Sequence, residues 1–272
     1  MMIDESYKKT IKKIIHRESS WLYKDIIIYD RVDSTNRIAK DKVKNGADEG
    51  TIILALTQDK GRGRYNRVWE SPLGGLYLSI ILRPNIPVNK AHLLSLTTSI
   101  ATADTVKKYK LSPSIVWPND IYIDNRKIAG ILSESEVTGE ELKYVVIGIG
   151  LNVNTRLDDY SDGLKPYVTS LLNEIGRETD IREVLENLLY YFDYYYKILL
   201  NDNVNYILDK WRGYASMLGR NIIIQTSSER ITGRATDIDH NGFLHVITED
   251  GEERIINSGD CIRLERITPP PT

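Results

Sequence analysis

Apolar residues along this chain fall into short β-branched runs, separated by stretches of helical period or by turn residues. Residues 25–31 hold Ile26, Ile27, Ile28 and Tyr29 in a row, and residues 51–57 read TIILALT, both patterns of short buried strands. Between them Asp33, Ser34, Thr35 and Asn36 precede Ile38, Ala39 and Val43, with Gly46 beyond. That is helix punctuation: a polar N-cap, a periodic body, a closing glycine. Residues 76–82 form a further strand, and residues 91–108 place Leu93, Leu94, Leu96, Ile100, Ala101 and Val106 at the spacing of an amphipathic helix. Two short strands are expected within residues 114–134, meeting at Asp124–Asn125, and another over residues 144–149. Strands separated by helices predict a mixed sheet with helices against it.

The second half changes period twice. From about Val168 to Trp211 the pattern is helical, with a long amphipathic helix opening at Asp180. Its run Tyr194, Tyr195 and Tyr196 suits helix packing better than a stacking platform for bases. After about Gly213, residues 221–225, 230–237, 243–248 and 253–256 read as short strands, with Asn241-Gly242 and Asp250-Gly251 as hairpin signals. The simplest fold for that segment is a small SH3-like β-barrel. The expected class is α+β, with residues 1–214 as one domain and residues 215–272 as a second. A short Lys-rich surface helix is expected over residues 6–15, and the tail TPPPT reads as disordered.

Composition narrows the function by exclusion. A net charge of −2 offers no global field to attract nucleic acid, so anion binding must be local. One cysteine, Cys261, excludes a disulfide framework and a cysteine-rich zinc site, and fits a reducing, cytoplasmic compartment. Four scattered histidines make no metal-ligand pattern. No run approaches the roughly 20 apolar residues of a membrane span, and the N-terminus lacks the apolar core of a secretory signal.

The densest chemistry lies in residues 58–75, QDKGRGRYNRVWESPLGG, where Lys60, Arg62, Arg64 and Arg67 fall within eight residues around Gly61 and Gly63. Two glycines two apart permit positive φ and close backbone approach. Guanidinium forks beside such a concavity suit a phosphate or adenylate. A solvated basic turn has the same composition; placement between two buried strands favours a ligand clamp. For Ser34, Thr35 and Asn36, helix capping competes with a second reading, in which hydroxyls and free N–H groups at a helix start bind a ligand carbonyl or urea. Capping is the simpler account. Lys127 starts the apolar run of residues 128–132, which Gly130 interrupts, and a glycine inside a strand marks a bulge or a close approach.

GRGRYNRVW, VWPNDIYIDNRKIAGILSE and GIGLNVN, in this order and spacing, resemble the signature of biotin protein ligases, from residue 26 through the C-terminal β segment. The resemblance implies two steps: biotin and ATP give biotinyl-5′-adenylate and pyrophosphate, and a lysine of a biotin carboxyl carrier domain then takes the biotinyl group. It places Ser34, Thr35, Asn36 and Gln58 at biotin. Gly61, Arg62, Gly63 and Arg64 form the loop over carboxylate and phosphate, with Lys127 at both and Gly130 beside the biotin chain. Trp69, Asn119, Asp120 and Asn152 join Arg62, Arg64 and Lys127 around ATP. Mg²⁺ is implied by ATP, and a homodimer by the family.

Two positions depart from the family pattern. Val116 stands where a lysine usually precedes Trp-Pro-Asn-Asp, leaving Lys60 or Arg67 as candidate replacements for that cation. Tyr65–Asn66 replaces Arg-Gly, and asparagine tolerates the left-handed conformation the turn requires. Lipoate or octanoate transferases resemble the same architecture, but the GRGR loop and KIAG segment argue against them. About 25 residues precede the first strand, too few for a winged helix, so a DNA-binding repressor is not expected. A P-loop enzyme is excluded by the lack of GxxxxGK[ST].

Overall fold

The structure, a computed structural model, describes residue 11, residues 22–23 and residues 25–264. The helix expected over residues 6–15 lies outside the described residues except for Ile11, which is helical and buried, and the Pro-rich tail lies outside them altogether.

Strands β1 (Asp25–Val32) and β2 (Thr51–Gln58) pair in parallel through helix α1 (Thr35–Lys44). Strand β3 (Leu76–Leu82) then joins β2 antiparallel. Beyond it come helix α2 (His92–Lys107) and strands β4 (Pro113–Val116), β5 (Asp120–Ile123), β6 (Arg126–Thr138) and β7 (Glu141–Leu151). The sheet runs β1-β2-β3-β7-β6-β5-β4, mixed as the alternating pattern predicts. Residues 114–134 hold parts of three strands rather than two, because Trp117–Asn119 turns the chain between β4 and β5. The expected turn at Asp124–Asn125 joins β5 to β6, with Asp124 at φ 53°.

Helix α2 is not amphipathic in place. Its leucines are buried, yet Thr97, Thr98, Ser99, Thr102 and Thr105 are also fully buried. Thr98, Thr102 and Thr105 return their hydroxyls to carbonyls one turn back at 2.6–2.8 Å, which satisfies them without water. Helix α3 (Leu171–Ile175) follows, and then the expected long helix, which is broken in two: α4 (Ile181–Leu200) and α5 (Val204–Tyr214). Asp202 at φ 56° makes the break. Asp180 caps α4 as its sequence position predicts, accepting from Arg182 N at 2.9 Å.

Strands β8 (Asn221–Gln225), β9 (Arg230–Ile238), β10 (Leu244–Thr248), β11 (Glu253–Ile256) and β12 (Asp260–Leu264) form a second, antiparallel sheet in the order β11-β10-β9-β8-β12. The pairing leaves β11 and β12 as its two edges rather than closing a barrel, and β12 was not legible as a strand. Gly242 and Gly251, at φ 80° and 85°, occupy the hairpin turns their sequence signals predict.

One apolar core joins the sheets: Met217, Ile222, Leu244 and Val246 belong to the same buried cluster as Leu78, Ile100 and Trp211. Trp117 crosses the seam, its ring N–H donating to Gly242 O at 3.0 Å. We therefore expect Leu244→Ala to cost about 2–5 kcal/mol, the usual range for a leucine-sized core cavity. It should lower the midpoint of a single calorimetric transition, whereas a separate early transition with the main one unmoved would show that the second sheet unfolds on its own.

Candidate functional site

Strands β6 and β7 bring three glycines to the floor of a cleft of about 230 Å³, with Gly130 paired to Gly150 and Gly148 to Leu132. The glycines are required by what lies above them. A Cβ on Gly150 would meet Trp69 Nε1 at 2.5 Å, and one on Gly130 would meet Trp69 Cζ3 at 3.0 Å. The indole thus covers the floor, its Nε1 buried and without a hydrogen-bond partner among the described residues. The close approach that a glycine inside a strand signals is made at Gly130 by Trp69.

At one end of the cleft, α1 begins with Ser34, Thr35 and Asn36, each nearly buried. Ser34 occupies the N-cap position, yet its side chain makes no capping bond and lines the cleft. The capping account therefore covers its place in the chain but not its hydroxyl. Gln58, at the end of β2, accepts Thr35 N–H at 2.8 Å and donates to Ser71 Oγ at 2.9 Å. Asn36 points inward: Ser79 Oγ lies 2.6 Å from its Oδ1, and Glu134 Oε2 accepts from its Nδ2 at 2.8 Å.

The basic loop forms the opposite wall. Its glycines do not use positive φ; Gly63 has φ −101°, and the left-handed residues are Tyr65 (φ 53°) and Asn66 (φ 58°). Asn66 behaves as the sequence suggests, and Tyr65 joins it. Gly61 is required for close approach, since a Cβ there would lie 2.3 Å from Trp69 O; it alone among the anticipated site residues does not line the cleft. Arg62 lines the cleft without an ion pair among the described residues. Arg64 turns to the second sheet, donating to Gly259 O at 2.7 Å, Asp260 Oδ1 at 3.0 Å and Ser258 Oγ at 3.2 Å. Arg67 NH1 lies 2.9 Å from Asp260 Oδ2, a charge contact without hydrogen-bond alignment. Of the two candidate replacements for a cation at Val116, Arg67 lines the cleft and Lys60 does not.

Lys127, at the start of β6, lies between Asp120 Oδ2 at 2.7 Å and the Trp69 ring at 5.3 Å. Asn119 lines the cleft, but its Nδ2 donates to Ile131 O and braces β6. Asn152 donates to Thr169 O at 2.9 Å, leaving its buried Oδ1 without a partner among the described residues. Tyr160, which closes one side, donates to Thr155 Oγ1 at 2.9 Å, and burial pushes its phenol up to about 12, so it remains a donor at neutral pH. No group of three or more histidine, cysteine or carboxylate side chains converges among the described residues. Asp120 and Asp260 face cations, and Glu70 accepts Ser161 N–H at 2.9 Å. That donor set makes no cage of its own; it fits an ion that arrives on phosphates and takes one or two protein oxygens, the habit of Mg²⁺.

Sequence reasoning did not single out Asp260, Ser79 or Glu134. Ser79 had a signal, as the one polar residue in LYLSIIL; Asp260 had none, because its role comes from the packing of two sheets.

Residues 28–152 match the Biotin/lipoate A/B protein ligase family, and residues 217–264 match the Biotin protein ligase C terminal domain. The bifunctional ligase/repressor BirA of Bacillus spizizenii is 35% identical over 86% of this chain and 72% of its own length. The biotin--[acetyl-CoA-carboxylase] ligase of Paracoccus denitrificans is 32% identical over 79% and 90%. Among solved structures, the biotin protein ligase from Aquifex aeolicus in complex with biotin and ATP superposes with a TM-score of 0.76 at 28% identity, covering 90% of this chain and all of that one. With both segments matched in order on one continuous fold, this chain belongs to the biotin protein ligase family.

Proposed function

We propose that the chain ligates biotin to a lysine of a biotin carboxyl carrier domain in two steps. A biotin carboxylate oxygen attacks the α-phosphorus of ATP and pyrophosphate leaves. The acceptor amine then attacks the acyl carbon of biotinyl-5′-adenylate and AMP leaves. The observation that carries this reading is the arrangement of one cleft: hydroxyls and amides at the α1 end, cations at the other, and Lys127 between.

In this reading Ser34, Thr35 and Gln58 face the ureido ring, whose polar, uncharged edge needs donors and acceptors in place of water. Asn36 acts from behind, since its amide is engaged with Ser79 and Glu134. Lys127 reduces the repulsion between two approaching anions and shares its charge with Asp120 until they arrive. Arg62 and Arg67 supply charge at the phosphates, Trp69 and Asn152 bound the nucleotide, and Asn119 supports the strand beneath. Asp120 and the free oxygen of Asn152 are the protein atoms that would hold Mg²⁺ brought with ATP; the ion would offset phosphate charge there. Residues 1–214 bind the substrates, and residues 215–272 hold the loop through Asp260. A homodimeric state rests on family likeness, and a cytoplasmic location on the lone cysteine.

The direct test is ATP–pyrophosphate exchange with biotin and lipoate side by side. Exchange that requires biotin is expected; exchange supported by lipoate or octanoate and not by biotin would overturn the assignment. Lys127→Ala should slow adenylate formation by about 3–4 kcal/mol of barrier, the scale of one preorganised charge contact. An unchanged single-turnover rate would remove Lys127 from the chemistry. Arg64→Gly removes three of the contacts that tie the loop to the second sheet, leaving Arg67 against Asp260 and Lys127 in place. Adenylate should still form but dissociate faster, and a bystander such as albumin should become labelled. Retention as long as in the wild type, with albumin unlabelled, would show that Arg64 is not the latch.

A further inference from the structure

We propose that Glu174, on the short helix α3 and outside the cleft lining, is a positioning residue: through one carboxylate oxygen it fixes the β-bulge that aims Lys127 into the cleft. The proposal rests on the reading above that Lys127 acts on the reacting anions.

A regular strand would not aim Lys127 where it lies. Successive residues of a strand alternate faces, so positions three apart point to opposite sides of the sheet. Lys127 and Gly130 nevertheless share the cleft face, since a Cβ on Gly130 would lie 3.2 Å from Lys127 Cε. The pairing of β5 with β6 shows how. Ile121 pairs with Ala129 and Tyr122 with Lys127, so Ile128 is an extra residue without a partner on β5. That bulge turns Ile128 into the core, where it is fully buried, and gives Lys127 to the cleft.

The bulge is held from outside the β5–β6 ladder. Asn152 N–H donates to Ile128 O at 2.9 Å, and Thr169 N–H donates to Lys127 O at 3.0 Å. Val168 makes a parallel bridge with Lys127, beyond the last β6–β7 pair of Ala129 with Leu151. Glu174 closes this arrangement. Its Oε1 accepts from Thr169 Oγ1 and, at 2.9 Å, from Arg126 Nη2. One oxygen thus ties the residue that precedes Lys127 to the residue that holds the Lys127 carbonyl. The Glu174 side chain is only 11% exposed, so water competes weakly for either contact. The Lys127 side chain has no fixed anchor of its own to replace this one. Its partner Asp120, at 2.7 Å, is the contact it exchanges when substrate anions arrive, so its direction during the reaction comes from the backbone.

The test is single-turnover formation of biotinyl-adenylate, with the full chain in excess over labelled biotin and thermal unfolding in parallel. Glu174→Ala should slow it about 10- to 100-fold, the scale of a displacement of about 1 Å in a reacting geometry. Glu174→Gln, whose amide oxygen can accept from both Thr169 and Arg126, should recover most of the rate. In a Lys127→Ala background Glu174→Ala should cost less than about twofold, because the two residues act through one side chain. A residue that merely stabilised the fold would slow both backgrounds alike. Where Glu174→Ala does not fold, Thr169→Val removes one of its two contacts and should give a smaller loss that likewise vanishes without Lys127. Glu174→Ala as fast as wild type, or equally costly in both backgrounds, would overturn the proposal while the functional reading stands. Wild type that forms no biotinyl-adenylate, or Lys127→Ala as fast as wild type, would overturn that reading and this proposal with it.

Discussion

The ion contacts of Asp260 with Arg64 and Arg67 are the constraint on which the cleft depends. Four cations within eight residues repel one another, and two consecutive residues of the same loop adopt left-handed backbone, at about 1–2 kcal/mol each for a non-glycine residue. A loop with those properties does not hold one shape alone. The carboxylate that gathers two of its guanidinium groups comes from the second sheet, with the neighbouring Gly259 carbonyl and Ser258 hydroxyl as further acceptors. Exposed ion pairs contribute little, but this carboxylate is only 12% exposed and its contacts act together. The second sheet is therefore part of the cleft wall.

The glycine floor answers a related steric demand. An indole and an asparagine amide can approach strands β6 and β7 only where no Cβ intervenes, at Gly130, Gly150 and Gly148. Those approaches put polar and aromatic groups over a sheet whose neighbouring residues, Leu78, Ile80, Ile147 and Ile149, are apolar and buried. The same stretch of backbone thus supports a core below and a site above.

Strand and helix periods were legible because burial imposes them: β3 was read to the residue, and the two Gly hairpins were placed by their φ requirement. The motif-bearing side chains also converged, all but Gly61 onto one cleft, because the family resemblance encodes spacing along the chain. What escaped depended on tertiary partners. Helix α2 looked amphipathic from the spacing of its apolar residues, but its polar face is buried too, with Thr98, Ser99, Thr102 and Thr105 donating to carbonyls three or four residues back. The single long helix divided at Asp202, and β12 exists by pairing with β8 rather than by any run of its own. Asp260 and Glu134 are ordinary acidic residues until a second segment is brought against each.

Val116 shows how such long-range pairing reshapes the chemistry. The side chain that stands where the family pattern carries a lysine is 5% exposed and packs into the core with Ile115 and Trp117. A cation there would need a route to the cleft or a partner inside, since an unpaired charge in an apolar interior is strongly disfavoured. The cleft instead receives Arg67 from the loop, and Arg67 is in contact with Asp260. Charge that a strand would hold rigidly is delivered here by a loop whose position depends on the second sheet. In this chain the loop, its end of the cleft and the C-terminal sheet consequently form one electrostatic unit, and a change at Asp260 would reach the cleft through two arginines at once.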